Sequence, residues 1–332
     1  DTMDKGPFIT WPYQEVAICG GDIAIGDETR WQAGLLACVS DRKDVRWPKS
    51  RDGGASWCVL ITIVWLCLFH ENIAAGAVSR DVDSVDKIGD PNSLFEKVRF
   101  MLARMPEWLK GGKIEDKKLS FRFPNGNTLN GEANVQSANV GGRLTILLID
   151  EFGQFDKNGE WIYDFTRDVC KNRVFVFTHK DQFGMAYQLC YDAKYKEMRE
   201  IMTHWAQHPR KRPGLYRYND ETNQIDVIDK IFDFNAICNH GVLKKKGCPE
   251  CKSAGMVQEF EFVMEAKPVG GPCPGLRSPW YDQECKARSD RDVAMNLDID
   301  PRGASDKPFA SYRIKLLIRE PTCRPPVWHG AL

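Results

Sequence analysis

Apolar residues fall into short continuous runs set apart by polar, glycine-containing stretches. Runs of four to eight apolar residues suit strands buried on both faces, and longer runs suit helices packed over them. Val45–Trp47 reads as a short extended segment, Cys58–Phe69 as a buried helix and Ala74–Val78 as a buried strand. Within Asp83–Leu109, the residues Leu94, Val98, Met101 and Leu102 repeat at helical spacing, and Pro106 closes the stretch. Leu119–Phe123, the turn Pro124-Asn125-Gly126-Asn127 and Thr128-Leu129 predict a hairpin outside the parallel core. Leu144–Ile149 and Val174–Phe177 are two more buried strands, and helical pattern resumes over Ala186–Trp205. The alternation predicts an α/β fold with a mostly parallel central sheet flanked by helices, its site at the strand C-terminal ends.

Two polar segments stand at those ends. The first is Trp47–Trp57, reading W-P-K-S-R-D-G-G-A-S-W between a strand and a helix. A glycine-rich strand-to-helix loop points backbone N–H groups and the positive helix end at an anion. Gly53 and Gly54 permit the tight path, and Ser56 stands where a phosphate-loop hydroxyl would hold Mg2+. The residue before it is Ala55, where the usual loop has lysine, so Lys49 and Arg51 are the cations on offer. The nucleotide-binding set is therefore Lys49, Ser50, Arg51, Asp52, Gly53, Gly54, Ala55, Ser56 and Trp57. The second segment is Asp150-Glu151, ending the strand Leu144–Ile149. In a nucleotide-hydrolysing site, Asp150 would orient Mg2+ and Glu151 would polarise the attacking water.

Composition narrows the class. The chain has 332 residues with 46 Lys+Arg against 46 Asp+Glu, so a uniformly basic nucleic-acid coat is excluded and only local patches remain. The 12 cysteines are scattered, which predicts reduced thiols rather than a disulfide framework. The run Cys58–Phe69 is too short to cross a membrane. Four further features carry candidate chemistry. Gln14, beside aromatics, can offer a donor and an acceptor to a purine edge. Thr178, ending a strand, could sense a γ-phosphate. His208–Pro213 is a compact basic loop able to grip DNA phosphates or to stand as a solvated turn. Cys238, His240, Cys248 and Cys251, the last two as C-x-x-C, suit a tetrahedral structural Zn2+, with Cys273 and Cys285 as alternative ligands.

In this order, these motifs resemble the ATPase domain of the large terminase subunit of tailed bacteriophages, the motor that packages DNA into the procapsid. The matching pieces are Phe8–Gln14, Lys49–Trp57, Leu147–Glu151, Thr178, Arg277–Glu284 and Leu297–Gly303. The resemblance implies a P-loop NTPase of the additional-strand, catalytic-glutamate type, with ATP, Mg2+ and a small zinc-binding insertion. It implies that Gln14 reads adenine, Lys49 binds phosphates, Arg51 senses or stabilises the γ-phosphate, Ser56 and Asp150 hold Mg2+, Glu151 is the catalytic carboxylate and Thr178 couples hydrolysis to motion. Arg143, just before the acidic strand, would act in trans on a neighbouring subunit. Residues 1–309 would form the ATPase domain, with 231–275 the zinc-bearing part and 310–332 a linker or tail. The residues after Phe309 are too few for the nuclease domain that usually follows.

The implied partners are double-stranded DNA, a portal protein, a small terminase subunit and copies of the chain in a ring, in the cytoplasm of an infected bacterium and with no membrane. A helicase-like translocase would carry both central motifs. A scaffold that binds nucleotide or DNA without turnover would explain Ala55.

Overall fold

A computed structural model describes residues 35, 39–133, 143–155, 158–170, 172–208, 210–219, 222–234, 260, 262–263 and 271–304. Strand β1 (Val45–Pro48) buries Val45 and Trp47 and runs through the glycine loop into helix α1 (Ala55–Phe69). Helix α1 is apolar on every face, so it has no outward stripe and is buried nearly all round. Each of its fully buried Val, Leu and Ile side chains contributes roughly 1.5–3 kcal/mol. Strand β2 (Ala74–Ser79) is built of small residues, and Gly76 lets Leu144 and Leu147 close in: a Cβ there would sit 2.8 Å from both.

A short helix α2 (Val82–Val85) is capped by the Asp81 carboxylate, which accepts from the Ser84 N–H. Helix α3 (Leu94–Arg104) buries Leu94, Phe95, Val98 and Leu102, the stripe expected from the spacing, and α4 (Glu107–Lys110) ends at Gly111. Strands β3 (Glu115–Lys117), β4 (Ser120–Arg122) and β5 (Thr128–Ala133) follow, then β6 (Ile146–Ile149), α5 (Gly159–Val169), β7 (Arg173–Phe177), α6 (Met185–Tyr191) and β8 (Arg199–Glu200).

The main sheet has the order β3-β4-β5-β2-β6-β7-β1-β8. From β5 to β8 every pair is parallel, and β3 and β4 add an antiparallel edge. The fold is thus mixed α/β with a large, mostly parallel central sheet flanked by helices. Two expectations are corrected. The hairpin does not stand outside the parallel core, because β5 pairs along its whole length with β2, Ala74 opposite Thr128 through Ser79 opposite Ala133. Nor is Ala186–Trp205 one helix. It breaks after Tyr191, and the chain turns to run beside β1, where the Ile201 and Thr203 N–H groups donate to the Arg46 and Pro48 carbonyls. The apolar residues Tyr195, Met198 and Ile201 that mimicked a helical stripe are buried one by one in this irregular path.

A second, antiparallel sheet joins β9 (Tyr216–Asn219), β10 (Gln224–Val227) and β11 (Leu276–Arg277) in the order β10-β9-β11. Helices α7 (Pro279–Ala287), α8 (Asp290–Asn296) and α9 (Pro301–Ala304) close this part around Trp205, Leu276, Tyr281 and Leu297. Cys273 here is disulfide-bonded, against the expectation of reduced thiols, so it offers no thiolate to a metal; Cys285 is free. Among the described residues, no helix is long and apolar enough to cross a membrane.

Candidate functional site

The C-terminal ends of β1, β2, β6 and β7 lie side by side, and the polar segments that follow them meet there. After β1 the chain is pinned from behind. The Lys49 N–H donates to the Phe177 carbonyl at 2.9 Å, the Ser50 N–H to Thr203 at 2.7 Å and the Arg51 N–H to Asn296 at 2.6 Å. The fully buried Ser50 hydroxyl donates to the Leu297 carbonyl and accepts from the Trp205 N–H, so it holds the loop in place rather than facing a ligand. Asp52, at φ +58, and Gly54, at φ +79, take the left-handed turn that brings the chain into α1. Gly53 is required by its neighbour: a Cβ there would sit 2.6 Å from the Thr203 methyl carbon.

Gly54 is the N-cap of α1, and no side chain caps that end. The first-turn N–H groups and the positive end of a fifteen-residue helix are thereby left pointing into the site. Ala55 is 1% exposed, so the loop presents no cation at the position where the usual loop has lysine. Trp57 packs edge-on against Phe100 of α3, with centroids 5.6 Å apart.

The loop and the acidic strand, 94 positions apart, are joined by one side chain. The Ser56 hydroxyl lies 2.9 and 3.0 Å from the two carboxylate oxygens of Asp150. The Asp150 N–H donates to the Val78 carbonyl, which fixes the strand end beside β2. Glu151 turns away at φ +53, its side chain 41% exposed, and its Oε2 lies 3.4 Å from the Arg80 guanidinium at the tip of β2. A hydroxyl against a carboxylate beneath an open helix N-terminus is the donor set a hard, six-coordinate cation takes, so these residues fit Mg2+.

Thr178 follows β7. Gly153, in the turn after Glu151, abuts its carbonyl oxygen so closely that a Cβ at 153 would overlap it. The acidic turn and Thr178 are therefore packed backbone to side-chain position, with no room between them. His179, next along, is buried, and that burial pulls its imidazole down to about 4.

Two cations join the site that periodicity did not point to. Lys97 on α3, one turn before Phe100, lies within electrostatic reach of Asp150, Glu151 and Lys49, and its ammonium donates to the Asn92 carbonyl at 2.8 Å. Burial pushes the ammonium below its usual range, Lys49 pushes it the same way, and the Asp150 and Glu151 carboxylates pull it back up. Lys211, from the basic loop, turns inward. Its ammonium donates to the Arg51 carbonyl at 2.9 Å and lies 4.8 Å from the Trp280 ring centroid, so here the loop backs the glycine turn. A cation beside hydrophobic residues in a helical stripe carries no signal of its own; only the pairing of α3 with α1 reveals Lys97.

The structure brings together Lys49, Gly53, Gly54, Ser56, Asp150, Glu151 and Thr178. It does not bring Arg143 to them. Arg143 is exposed and precedes β6, at the opposite end of the strand that leads to Asp150. Gln14 and the proposed zinc ligands Cys238, His240, Cys248 and Cys251 lie outside the described residues. Among the described residues, no group of three or more His, Cys, Asp or Glu is placed to hold a metal ion.

No family model matches the chain, and no curated protein does. Solved structures similar to it include phage large terminases. The ATPase domain of the Thermus phage P74-26 large terminase, in a mutant form, aligns at TM-score 0.40 and 12% identity over 52% of this chain and 81% of that one. The large terminase of a thermophilic bacteriophage in complex with ADP aligns at 0.41 and 12%, over 53% of this chain and 45% of that one. The HK97 bacteriophage large terminase aligns at 0.41 and 13%, over 53% and 38%. The chain thus spans less than half the length of the last two. At such identities the likeness concerns the fold and carries no statement about activity.

Proposed function

We propose that the chain is a Mg2+-dependent ATPase of the terminase motor type, hydrolysing ATP to drive double-stranded DNA into a procapsid. The observation that carries the reading is the Ser56 hydroxyl on the Asp150 carboxylate. It joins a glycine loop and an acidic strand end, the two elements that a metal-bound phosphate chain requires. The first-turn N–H groups of α1 take the phosphate oxygens, with Lys49, Arg51 and Lys97 supplying positive charge around them. Ser56 and Asp150 would hold Mg2+, which when bound neutralises charge shared by the β- and γ-phosphates. The Glu151 carboxylate orients the attacking water and accepts its proton, and Arg80 sets where that carboxylate points. Catalysis of this kind is positioning and charge stabilisation, with no covalent intermediate. Loss of the γ-phosphate is passed on through the Gly153–Thr178 contact, which leaves no slack between the acidic turn and the end of β7.

In the same reading, residues 1–309 are the motor domain, Gln14 reads the adenine edge, Arg143 serves a neighbouring subunit, and Cys238, His240, Cys248 and Cys251 hold a structural Zn2+ within 231–275. Portal protein, small terminase subunit and a ring of copies are the partners.

The test is ATP turnover at high protein concentration, with and without duplex DNA, beside Glu151→Gln. The expected result is turnover that rises with concentration and with DNA, and a variant that keeps Mg–ATP binding while losing about 10²–10⁴-fold in rate. A buried Ala55 in place of lysine favours a second reading, a nucleotide-binding scaffold. Mg–ATP binding with no turnover under any of these conditions would select it.

A further inference from the structure

Lys211 is tied down at both ends. Its carbonyl accepts from the fully buried hydroxyl of Ser278, the N-cap of α7, at 2.7 Å. Its ammonium lies 4.8 Å from the ring centroid of Trp280, in the first turn of the same helix, and donates to the Arg51 carbonyl at 2.9 Å. A lysine held over a ring in this way loses much of the freedom of its long stem. Burial pulls the ammonium below its usual range, and the Asp52 and Glu284 carboxylates push it back up. The glycine turn it touches has already spent its first donors. The N–H groups of Lys49, Ser50 and Arg51 go to the Phe177, Thr203 and Asn296 carbonyls. Among the described residues, no backbone carbonyl accepts from the N–H of Asp52, Gly53 or Gly54. The loop donors open to an anion therefore begin at Asp52.

We propose that Lys211 is a positioning residue for phosphate binding, acting through the Arg51–Asp52 peptide. That peptide is trans and planar, so its C=O and N–H point opposite ways. A donor that grips the Arg51 carbonyl fixes the direction of the Asp52 N–H. The Arg51 N–H is fixed by Asn296, so the turn is held on both sides of Arg51 just before the chain enters its left-handed path at Asp52. A charged donor holds a carbonyl more firmly than a neutral one, and its positive charge adds to the field that an anion meets at the N-terminus of α1. With Ala55 carrying no charge, a lysine 160 positions beyond Arg51 thus steadies the turn from a different part of the fold. The inference rests on the nucleotide reading of the loop and deepens it, adding a residue that touches no ligand.

The experiment compares the full wild-type chain with Lys211→Met and Lys211→Arg. Methionine keeps the length and the contact with the Trp280 ring but has neither charge nor donor; arginine keeps both. The melting temperature checks the fold, and Lys211→Gln replaces the methionine variant if that one melts well below wild type. Two quantities are read. The first is the amide nitrogen shift of Asp52 in nucleotide-free protein, which reports the hydrogen bond on the preceding carbonyl. The second is the affinity for Mg–ATP and for Mg–tripolyphosphate by isothermal titration. In Lys211→Met the Asp52 resonance should move and both ligands should bind about tenfold more weakly, by the same factor because only the phosphates are affected. Lys211→Arg should recover most of both changes. An Asp52 resonance that stays in place, or one that moves while both affinities hold, would overturn the role given to Lys211. A wild-type chain that binds neither ligand would overturn the nucleotide reading itself, and with it the purpose of the contact, whatever the Asp52 resonance does.

Discussion

The Arg80 guanidinium stands 3.4 Å from the Glu151 carboxylate, across the tips of two neighbouring strands. Arg80 also lies 3.1 Å from Asp81 and 3.3 Å from the Ser84 hydroxyl, so the guanidinium is held on two sides before it meets Glu151. Both partners are largely exposed, and such a pair adds little to stability. Its weight is in orientation. Arg80→Ala should lower the ATP turnover rate about tenfold and leave the Mg–ATP dissociation constant within a factor of two or so. A rate unchanged in single-turnover measurements would remove Arg80 from the site.

Lys97 supplies a cation within electrostatic reach of the acidic pair from an element with no phosphate-loop character. Lys97→Ala should weaken Mg–ATP binding about tenfold, roughly 1.4 kcal/mol, by isothermal titration. Lys97→Arg should restore part of it, because it keeps the charge. If alanine leaves the affinity as it was, the phosphate charge is met by Lys49 and Arg51 alone.

Gly153 has no room for a side chain against the Thr178 carbonyl. Gly153→Ala should destabilise the fold by roughly 1–3 kcal/mol, the usual range for forced overpacking, read as a lower denaturant midpoint. Under the proposed function, it should also lower the stimulation of turnover by DNA more than the basal rate. A variant as stable as wild type would mean that the two turns separate without penalty.

Asp298 is buried and accepts from the Tyr281 hydroxyl at 2.8 Å, and burial raises its carboxyl to about 8. The folded chain keeps the proton where the unfolded chain has lost it. Asp298 therefore stabilises the fold at low pH, and this contribution declines as pH rises from about 4 through about 8. The slope is at most about 1.4 kcal/mol per pH unit. Asp298→Asn keeps the acceptor and cannot ionise, so its melting temperature relative to wild type should climb between pH 5 and 8. A difference that is flat with pH would show that Asp298 ionises freely in the fold.

The strands and the two polar tips were legible because each is local. A run such as Leu144–Ile149 has one good solution, and a glycine pair after a strand has few. What joins them was not legible. Lys97 sits among Leu94, Val98 and Leu102, and its spacing says only that it is off the buried stripe. Strand β8 is two residues long, and its pairing runs through backbone groups that every residue type carries. The hairpin is legible from its turn, but its place in the sheet is not, since nothing in Thr128–Ala133 names β2 as a neighbour. The basic loop reads equally as a phosphate grip or a solvated turn, because Arg210 and Lys211 are alike in sequence. Only packing separates the exposed Arg210 from Lys211, turned onto the glycine loop.

The Ser50 hydroxyl reaches a carbonyl 247 positions further along the chain, at Leu297, and Arg51 is anchored one residue earlier, at Asn296. A loop that reads as a local motif is thus completed by nearly the last described segment. During synthesis, β1 and α1 emerge early, yet the turn between them has no backing until α8 has left the ribosome. Contacts this distant in sequence are the slow ones to form. Under the proposed function, the nascent chain would be unable to hold nucleotide in the finished geometry for most of its elongation, and competence for ATP would arrive as a late, single event that doubles as a report that the chain has closed.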